Sequence, residues 1–335
     1  MRAIYFEVTP YHAPAWLPGG HLQTIWPALY ARRYAGPRPR WHRERWEAPD
    51  GDFIDVDWLA TAPAPGAPLL VLFHGLEGSS RSHYAEAFAG WAREQGLALA
   101  VPHFRGCSGE INRAPRAYHS GDHAEIDWML RHFARAQAAR GGGRLLAVGV
   151  SLGGNALLRW AGESGESARQ VVAAVAAVCA PLDLAAGGHA IGRGFNRQVY
   201  NRMFLRTMKA KARAKLAQHP GLFDGQRLRQ APDLYAFDDL FTAPLHGFAG
   251  VEDYWRRASA KPHLPAIRVP ALALNARNDP FVPAASLPRV GEVGPWVTLW
   301  QTDEGGHVGF AKGAMPGHVM WLPQAVGGWL LSANH

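Results

Sequence analysis

From Leu69 onward, short apolar runs alternate with longer stretches in which apolar residues recur at helical spacing. Each run is apolar at nearly every position and ends in glycine, proline or a polar turn, which is typical of strands buried on both faces. The predicted strands are 69–74, 97–103, 145–150, 171–180, 271–275 and 296–301. We therefore predict an α/β protein with a mostly parallel central sheet and helices on both faces.

Helices are predicted between the strands and near the end of the chain, over residues 83–94, 121–139, 152–160 and 318–331. Upstream, residues 46–58 predict an antiparallel edge hairpin around the turn Pro49-Asp50-Gly51. Between residues 183 and 262 the pattern is helical, aromatic and basic. We expect residues 183–262 to form a helical lid inserted after the sixth strand, on a core of residues 1–182 and 263–335 with an N-terminal arm.

Length and composition are those of a globular enzyme, because the chain has 335 residues, of which 48% are hydrophobic and 19% charged. The two cysteines, Cys107 and Cys179, match no metal-ligand or redox spacing, so we expect both to be reduced. Residues 1–10 include Glu7 and Pro10, where an export signal needs an unbroken apolar stretch. The longest apolar run is far shorter than the ~20 residues of a membrane-spanning helix. These features predict a cytoplasmic protein.

The strongest chemical signal is Gly149-Val150-Ser151-Leu152-Gly153, which lies directly between a predicted strand and a predicted helix. A G-x-S-x-G sequence at such a turn is typical of a serine nucleophile, which the strained backbone exposes at the edge of the sheet. The flanking glycines let neighbouring backbone pass where a Cβ would collide. The alternative is a glycine-rich turn with an incidental serine, and the strand-turn-helix setting favours the nucleophile.

A serine hydroxyl needs a base to remove its proton and an acid to orient that base. In this kind of sheet the chain order is Ser, acid, His. Asp279 and His307 each lie just beyond a predicted strand, at the edge where an open α/β sheet gathers its site. Asp303 and Glu304 are rival acids, but they follow the wrong strand. We predict a triad of Ser151, Asp279 and His307; the alternatives are a turn aspartate before proline and a surface histidine.

Acyl transfer at a serine also needs hydrogen-bond donors for the negative charge that develops on the carbonyl oxygen. The backbone N–H groups of Leu152, after the serine, and of Leu76, after the third strand, are the candidates. Leu76 lies in a loop, residues 73–80, whose glycines allow the backbone to turn its N–H groups outward. The alternative for this loop is a glycine turn that only ends a buried strand.

Four stretches of the sequence resemble those of YheT-type α/β-hydrolases, and the similarity covers nearly the whole chain. They are His21-Leu22-Gln23-Thr24, His74-Gly75-Leu76-Glu77-Gly78-Ser79-Ser80, Phe104-Arg105-Gly106-Cys107-Ser108-Gly109 and Gly149-Val150-Ser151-Leu152-Gly153-Gly154-Asn155. The resemblance implies the α/β-hydrolase fold and a carboxylesterase or lipase-like activity. It places the triad on the same three residues, Ser151, Asp279 and His307.

The function that we predict is hydrolysis of carboxylic esters, either small-molecule or lipid-like, through an acyl-enzyme on Ser151. No cofactor is expected, and no metal, since the sequence has no H-E-x-x-H or comparable ligand cluster. Two alternatives remain open. One is an acyltransferase that shares the acyl-enzyme, for which His219 and Asp224 offer a His-x4-Asp pattern. The other is a hydrolase fold that binds a ligand without catalysis.

Three further features have two interpretations each. Arg105 could brace the site through a salt bridge or meet an acidic substrate, and we favour bracing. In the N-terminal arm, Trp16, His21 and Trp26 are predicted to pack on the lid or sheet edge rather than on substrate.

Residues 187–223 carry eight Lys or Arg and no Asp or Glu. This basic segment of the lid is either a solvated helix face or a peripheral contact with an anionic membrane; no nucleic-acid-binding module accompanies it.

Overall fold

The computed structural model of the protein describes residues 10–333. Residues 1–9, most of the segment in which we find no export signal, lie outside the described residues. In the described part, eight strands form one sheet in the order β1-β2-β4-β3-β5-β6-β7-β8. The strands are β1 (Trp41–Glu47), β2 (Phe53–Leu59), β3 (Leu69–Phe73), β4 (Ala98–Pro102), β5 (Leu145–Val150), β6 (Ala174–Val178), β7 (Ala271–Ala276) and β8 (Val297–Thr302).

The sheet is antiparallel where β2 meets β1 and β4, and parallel from β4 to β8. The mostly parallel sheet that the apolar runs predict is thus confirmed. The edge hairpin is longer than predicted, because β1 begins at Trp41 and pairs along its whole length with β2. The residues of β1 before Trp46 are mostly polar, so the pattern of apolar runs does not detect them. The predicted strand 171–180 is shorter, since only residues 174–178 pair with β5 and Cys179 turns away with φ 49°.

The helices of the core are α1 (Gly20–Leu29), α2 (His83–Glu94), α3 (His123–Ala139), α4 (Leu152–Ser164) and α12 (Trp321–Ser332). On one face of the sheet, Phe133 of α3 and Trp160 of α4 are fully buried in one apolar core. On the other face, Phe88 of α2 and Leu322 of α12 belong to a second core. The sheet therefore carries helices on both faces, as predicted, and its strands are apolar because both faces are covered.

Between β6 and β7 the described chain is helical, with α5 (Leu184–Ile191), α6 (Gly194–Asn196), α7 (Arg202–Gln218), α8 (Gly225–Gln230), α9 (Leu234–Phe237), α10 (Ala243–Leu245) and α11 (Val251–Ala258). Two π-helical turns, Arg197–Asn201 and Asp238–Thr242, join α6 to α7 and α9 to α10. The lid that we propose begins at Asp183, whose carboxylate accepts the N–H of Ala186 at 3.0 Å and so caps α5. An apolar cluster of its own, which includes Phe237 and Phe241, stabilises the insertion.

Across residues 10–333, no helix is both long enough and apolar enough to span a membrane. Cys107 and Cys179 are both buried and free, in agreement with the prediction that they form no disulfide.

The contact between α12 and α2 gives a test of this packing. A Cβ at Gly327 would overlap the buried ring of Trp91, whereas a Cβ at the neighbouring Gly328 would meet nothing within 4 Å. We expect Gly327→Ala to lower the free energy of unfolding by about 1–3 kcal/mol through overpacking. Gly328→Ala should instead raise it by about 0.5–1 kcal/mol, because alanine is the better helix former. Urea denaturation measures both, and equal effects would contradict the packing.

Candidate active site

Ser151 lies at the turn between β5 and α4 in a backbone conformation that L-residues rarely adopt, with φ 53° and ψ −119°. The glycines on either side explain how the chain tolerates this turn. A Cβ at Gly153 would lie 2.5 Å from the carbonyl oxygen of Phe73, and a Cβ at Gly149 would overlap the Gly153 carbonyl. The backbone therefore closes tightly behind Ser151 and leaves its side chain partly exposed at the carboxyl edge of the sheet.

The three residues of the predicted triad meet at that edge. His307 Nε2 lies 3.0 Å from Ser151 Oγ, and His307 Nδ1 lies 2.8 Å from Asp279 Oδ2. The other carboxylate oxygen of Asp279 accepts the backbone N–H of Phe281 at 2.7 Å, which restricts rotation of the carboxylate. The Phe281 ring packs against the imidazole, with 4.3 Å between ring centroids. The rival acids do not compete, because Asp303 is exposed and Glu304 accepts hydrogen bonds from Gln23 and Ala13.

The loop that carries His307 is held by the N-terminal arm, a role that the sequence alone did not suggest. Thr24 Oγ1 accepts the His307 N–H at 2.8 Å and donates to the Gly20 carbonyl at 2.7 Å. Gln23 Oε1 accepts the Gly305 N–H at 2.9 Å and the side-chain N–H of Asn278 at 2.9 Å. Asn278 directly precedes Asp279. The buried side chain of Gln23 therefore braces both the loop that carries Asp279 and the loop that carries His307.

The arm residues singled out from the sequence lie around these contacts. The Trp16 and Trp26 indoles donate to the carbonyl oxygens of Gly313 and Pro316, so both tryptophans pack on the C-terminal part of the core. His21 hydrogen-bonds the hydroxyl of Tyr200 in the insertion at 3.2 Å. Of the three residues that we predict to pack on the lid or sheet edge, His21 contacts the insertion, whereas Trp16 and Trp26 contact residues 313 and 316, beyond the last strand. The bracing by Gln23 and Thr24 was missed because their partners are far away in the chain.

The loop after β3 passes directly against Ser151, since a Cβ on Gly75 would lie 3.2 Å from the Ser151 Cβ. His74 is fully buried, and burial lowers its pKa to about 3, so its imidazole is neutral. Its Nε2 accepts the Phe104 N–H at 3.1 Å, which leaves Nδ1 as the donor to the Gly75 carbonyl at 2.8 Å. Within residues 10–333, the N–H groups of Leu76 and Leu152 have no acceptor. Both are available to a bound oxygen atom.

Glu77, the next residue of this loop, also has a positive φ of 57°. Its N–H donates to the Tyr118 hydroxyl at 3.0 Å, and that hydroxyl donates back to its carboxylate at 2.8 Å. The ammonium of Lys211, from α7, lies 2.8 Å from the same carboxylate oxygen. Lys211 therefore connects the insertion to the loop that carries Leu76.

Cys179 lies beside the histidine and the aspartate and was not predicted to do so. Its sulfur accepts the Val308 N–H at 3.3 Å, and possible metal-ligand atoms of Cys179, Asp279 and His307 lie within 4.8 Å of one another. Burial, together with the charge of Asp279, holds the pKa of the Cys179 thiol well above its usual range. A protonated thiol is a poor metal ligand, and Asp279 and His307 already bind each other. The donor set therefore suits a hydrogen-bonded triad better than a metal ion.

A cavity of about 150 Å³ opens in front of Ser151 and His307, under the helices of the insertion. Most of its lining is apolar, and half of the lining residues come from the insertion, including Leu184, Ile191, Phe204, Met208, Leu234, Phe237 and Phe241. Leu76 and Leu152 line the same cavity next to the serine. The arrangement can hold an apolar group with its reactive carbonyl against Ser151.

The cations that line the cavity, Arg105, Lys211 and Lys215, all have partners. Arg105 forms buried salt bridges with Asp52 at 2.6 Å and Glu125 at 2.5 Å, which agrees with the bracing role predicted for it. Lys215 is buried, and its ammonium donates to the carbonyl oxygens of Asn112 and Ala114. With Lys211 paired to Glu77, the cavity presents no unpaired cation among the described residues.

Comparison with known proteins fits this geometry. A family model described as the alpha/beta hydrolase fold matches residues 68–314. An Escherichia coli (strain K12) protein named "Putative esterase YheT" is 41% identical over 92% of this chain and 89% of its own length. The mouse protein named phospholipase ABHD3 is 27% identical over 85% of this chain and 70% of its own. This chain belongs to the α/β hydrolase fold family.

The resemblance to YheT-type α/β-hydrolases is thereby confirmed, and the chain is an α/β hydrolase of the esterase and lipase type. A solved structure supports the fold. An esterase from Pyrococcus furiosus superposes with a TM-score of 0.54 at 15% identity, covering 90% of this chain and 98% of that one. The match begins at residue 68, so the arm that braces the His307 loop precedes the part that the family model describes.

Thr24 provides a test of how this α/β hydrolase positions its histidine. Thr24→Val keeps the shape but leaves the His307 N–H without an acceptor, which costs about 1–3 kcal/mol of unfolding free energy if the amide stays dry. We expect kcat for a soluble ester to fall about tenfold or more with little change in KM, because the imidazole loses its alignment. Thr24→Ser retains the hydroxyl and should restore kcat. Equal kcat in Thr24→Val and wild type would remove Thr24 from the positioning of His307.

Proposed function

We propose that this α/β hydrolase cleaves carboxylic esters with Ser151 as nucleophile, His307 as general base and Asp279 as the orienting carboxylate. The observation that carries the proposal is the continuous hydrogen-bonded path from Asp279 through His307 to Ser151, with distances of 2.8 and 3.0 Å. A serine held in a strained turn with its hydroxyl on a histidine has the geometry of an activated nucleophile.

In the proposed reaction, Ser151 Oγ attacks the ester carbonyl carbon while His307 Nε2 takes the hydroxyl proton. Asp279 keeps Nδ1 as a donor and stabilises the imidazolium that forms. The N–H groups of Leu76 and Leu152 bind the developing oxyanion. His307 then gives its proton to the departing alcohol. Water, deprotonated by His307, attacks the acyl-enzyme, releases the acid and restores Ser151.

The substrate that the cavity suits is an ester with an uncharged, apolar acyl group. Most of the lining surface is apolar, and its cationic side chains are already paired with carboxylates or with backbone carbonyls. An anionic acyl group would have to compete with Glu77 for Lys211 and with Asp52 for Arg105. The volume of about 150 Å³ is that of a cavity that holds a small hydrocarbon such as benzene, so short acyl chains fit without rearrangement.

Relatives named for lipid hydrolysis support this substrate class. Besides the mouse phospholipase, a yeast protein named monoacylglycerol lipase is 28% identical over 73% of this chain. We therefore include lipid-like esters among the substrates. The acyltransferase alternative gains no support, because His219 bonds the Arg113 carbonyl and Asp224 caps α8. Neither residue is among the described residues that line the cavity.

Substitution of the triad tests the proposal. Ser151→Ala and His307→Ala should each lower kcat/KM for p-nitrophenyl butyrate on the order of 10⁴-fold, with Asp279→Asn nearly as damaging. A fluorophosphonate probe should label wild-type protein at Ser151 and leave Ser151→Ala unlabelled. Far-UV circular dichroism shows whether each variant is folded. Folded wild-type protein that neither labels at Ser151 nor releases butyrate would overturn the proposal, and an acylated acceptor in place of free butyrate would indicate a transferase.

Lys211 tests whether the insertion supports the oxyanion loop. Lys211→Met breaks the bond to Glu77 while keeping an apolar stem in the cavity, and we expect kcat to fall about tenfold with a smaller change in KM. Lys211→Arg should recover most of that loss by restoring the ion pair. Lys209→Met is the matched control on the same helix, since its ammonium bonds only the carbonyls of Arg229 and Ala231 among described residues. A Lys211→Met enzyme with wild-type kcat would exclude this support.

A further inference from the structure

The helix that runs from Gly194 to Gln218 through its π-helical turn has two different faces. Phe204, Met208 and Lys211 point inward, because all three line the cavity in front of Ser151. The opposite face points away from the protein. This helix therefore forms one wall between the cavity and the exterior.

The outer face of this helix is apolar where a solvated face would be polar. Phe195, Val199 and Met203 recur every four residues, and 51%, 38% and 49% of their surfaces are exposed. Three large apolar side chains in one row on a single helix differ from scattered exposed residues, which need no explanation. We call these three residues the apolar row.

Four exposed arginines flank the apolar row, namely Arg193, Arg197, Arg202 and Arg206. Across residues 10–333, none of them lies within 4.0 Å of a carboxylate. Some arginines elsewhere do have a carboxylate partner, as Arg131 has in Asp127 of α3. The outer face therefore combines apolar side chains with an uncompensated positive charge.

This face lies close to the triad. The Phe195 ring contacts that of Tyr200, with 6.0 Å between centroids, and Tyr200 packs on Phe281 at 4.6 Å. Phe281 in turn packs on His307. Three ring contacts thus connect the exterior of the helix to the catalytic base.

We propose that the apolar row and its four arginines dock this enzyme onto an anionic phospholipid surface. An amphipathic helix with arginines beside aromatic and aliphatic residues binds in the headgroup region, with its apolar side chains among the acyl chains. The guanidinium groups pair with lipid phosphates, and each near-surface charge adds about a factor of five to binding, from about 1 kcal/mol. The charge excludes a second copy of the chain on this face, since a symmetric dimer would bring the two sets of arginines together.

Docking in this way would place the wall of the cavity against the lipid. An ester drawn from the surface would then reach Ser151 across a single helix, so that the enzyme meets apolar substrates where they are concentrated. Binding itself depends on the outer face only and not on the triad, so it can be tested apart from the ester hydrolysis proposed above.

Co-sedimentation with vesicles tests the docking. Vesicles of phosphatidylcholine mixed equally with phosphatidylglycerol should bind wild-type protein, and vesicles of phosphatidylcholine alone should bind it far more weakly. Arg202→Gln/Arg206→Gln should lower the partition coefficient roughly thirtyfold, which corresponds to about 1 kcal/mol for each charge. Val199→Ser/Met203→Ser should lower it roughly tenfold or more through loss of apolar burial. About 1 M salt should release the wild type, because the Debye length falls to about 3 Å.

Two matched variants on other faces serve as controls. Arg40→Gln/Arg135→Gln also removes two charges, from arginines that are exposed on other elements. Val290→Ser/Met315→Ser removes the same two residue types at positions that are 82% and 63% exposed. Both controls should bind like wild type, and all four variants should turn over p-nitrophenyl butyrate at the wild-type rate, which shows that they are folded.

The proposal is wrong if wild-type protein fails to bind the anionic vesicles or binds both kinds of vesicle equally. It is also wrong if the controls lose as much binding as the outer-face variants, since net charge or general hydrophobicity would then explain it. Loss of self-association in Val199→Ser/Met203→Ser, measured by sedimentation velocity without lipid, would assign this face to a second copy instead. Failure of butyrate hydrolysis by wild type would overturn the proposed function and leave the vesicle result standing.

Discussion

The position of the His307 imidazole is the constraint on which the rest of the site depends, because its two nitrogens must reach two residues from different parts of the chain at once. Ser151 follows β5, Asp279 follows β7 and His307 follows β8. Parallel strands bring these three ends to one edge of the sheet. The sheet sets their positions only approximately, and an error of about 1 Å at a reacting group can cost about a hundredfold in rate.

The exact position of the His307 loop is set by hydrogen bonds between residues that are far apart in the sequence. Thr24 holds the His307 N–H over a separation of 283 residues, and Gln23 holds Gly305 over 282. The backbone of Gln23 is so close to Gly306 and Gly309 that a Cβ at either glycine would overlap it or lie within 3 Å of it. The arm and the histidine loop therefore fit together only because both glycines lack side chains, so an N-terminal helix takes part in positioning His307.

The features that the sequence predicts well are those that arise within one short segment. A buried parallel strand is apolar throughout, so β3, β5 and β7 could be placed within a residue or two. The three residues of the proposed triad could be picked out because a strained G-x-S-x-G turn and two polar strand ends are local patterns, and the structure brings the three within hydrogen-bond distance. The first five residues of β1 escaped notice because most of them are polar, and the exposed positions of the strand are His42, Arg43, Arg45 and Glu47. The bracing roles of Gln23 and Thr24, and the place of Cys179 beside His307, escaped notice because a residue's distant partner leaves no trace in its own neighbourhood.

The basic segment shows why charge in a sequence cannot be interpreted without the fold. Lys211 and Lys215 come from the same run as Arg202 and Arg206, yet they point inward, to Glu77 and to backbone carbonyls. The arginines point outward and have no carboxylate nearby among the described residues. A helix makes one turn every 3.6 residues. The cations of a segment without acidic residues are therefore distributed over opposite faces, where they meet different partners.

The two faces of the helix from Gly194 to Gln218 belong to one element, so a movement of one face also moves the other. The inward face carries Lys211, which bonds the loop beside Leu76, and the outward face carries the apolar row. Because a helix moves as a nearly rigid body, a shift imposed on its outer face also changes the distance between Lys211 and Glu77. The donor at Leu76 belongs to the same strained loop as Glu77, so its alignment depends on that distance. If Leu76 binds the oxyanion as proposed, contact at the exterior is coupled to that binding through the ion pair of Lys211 with Glu77.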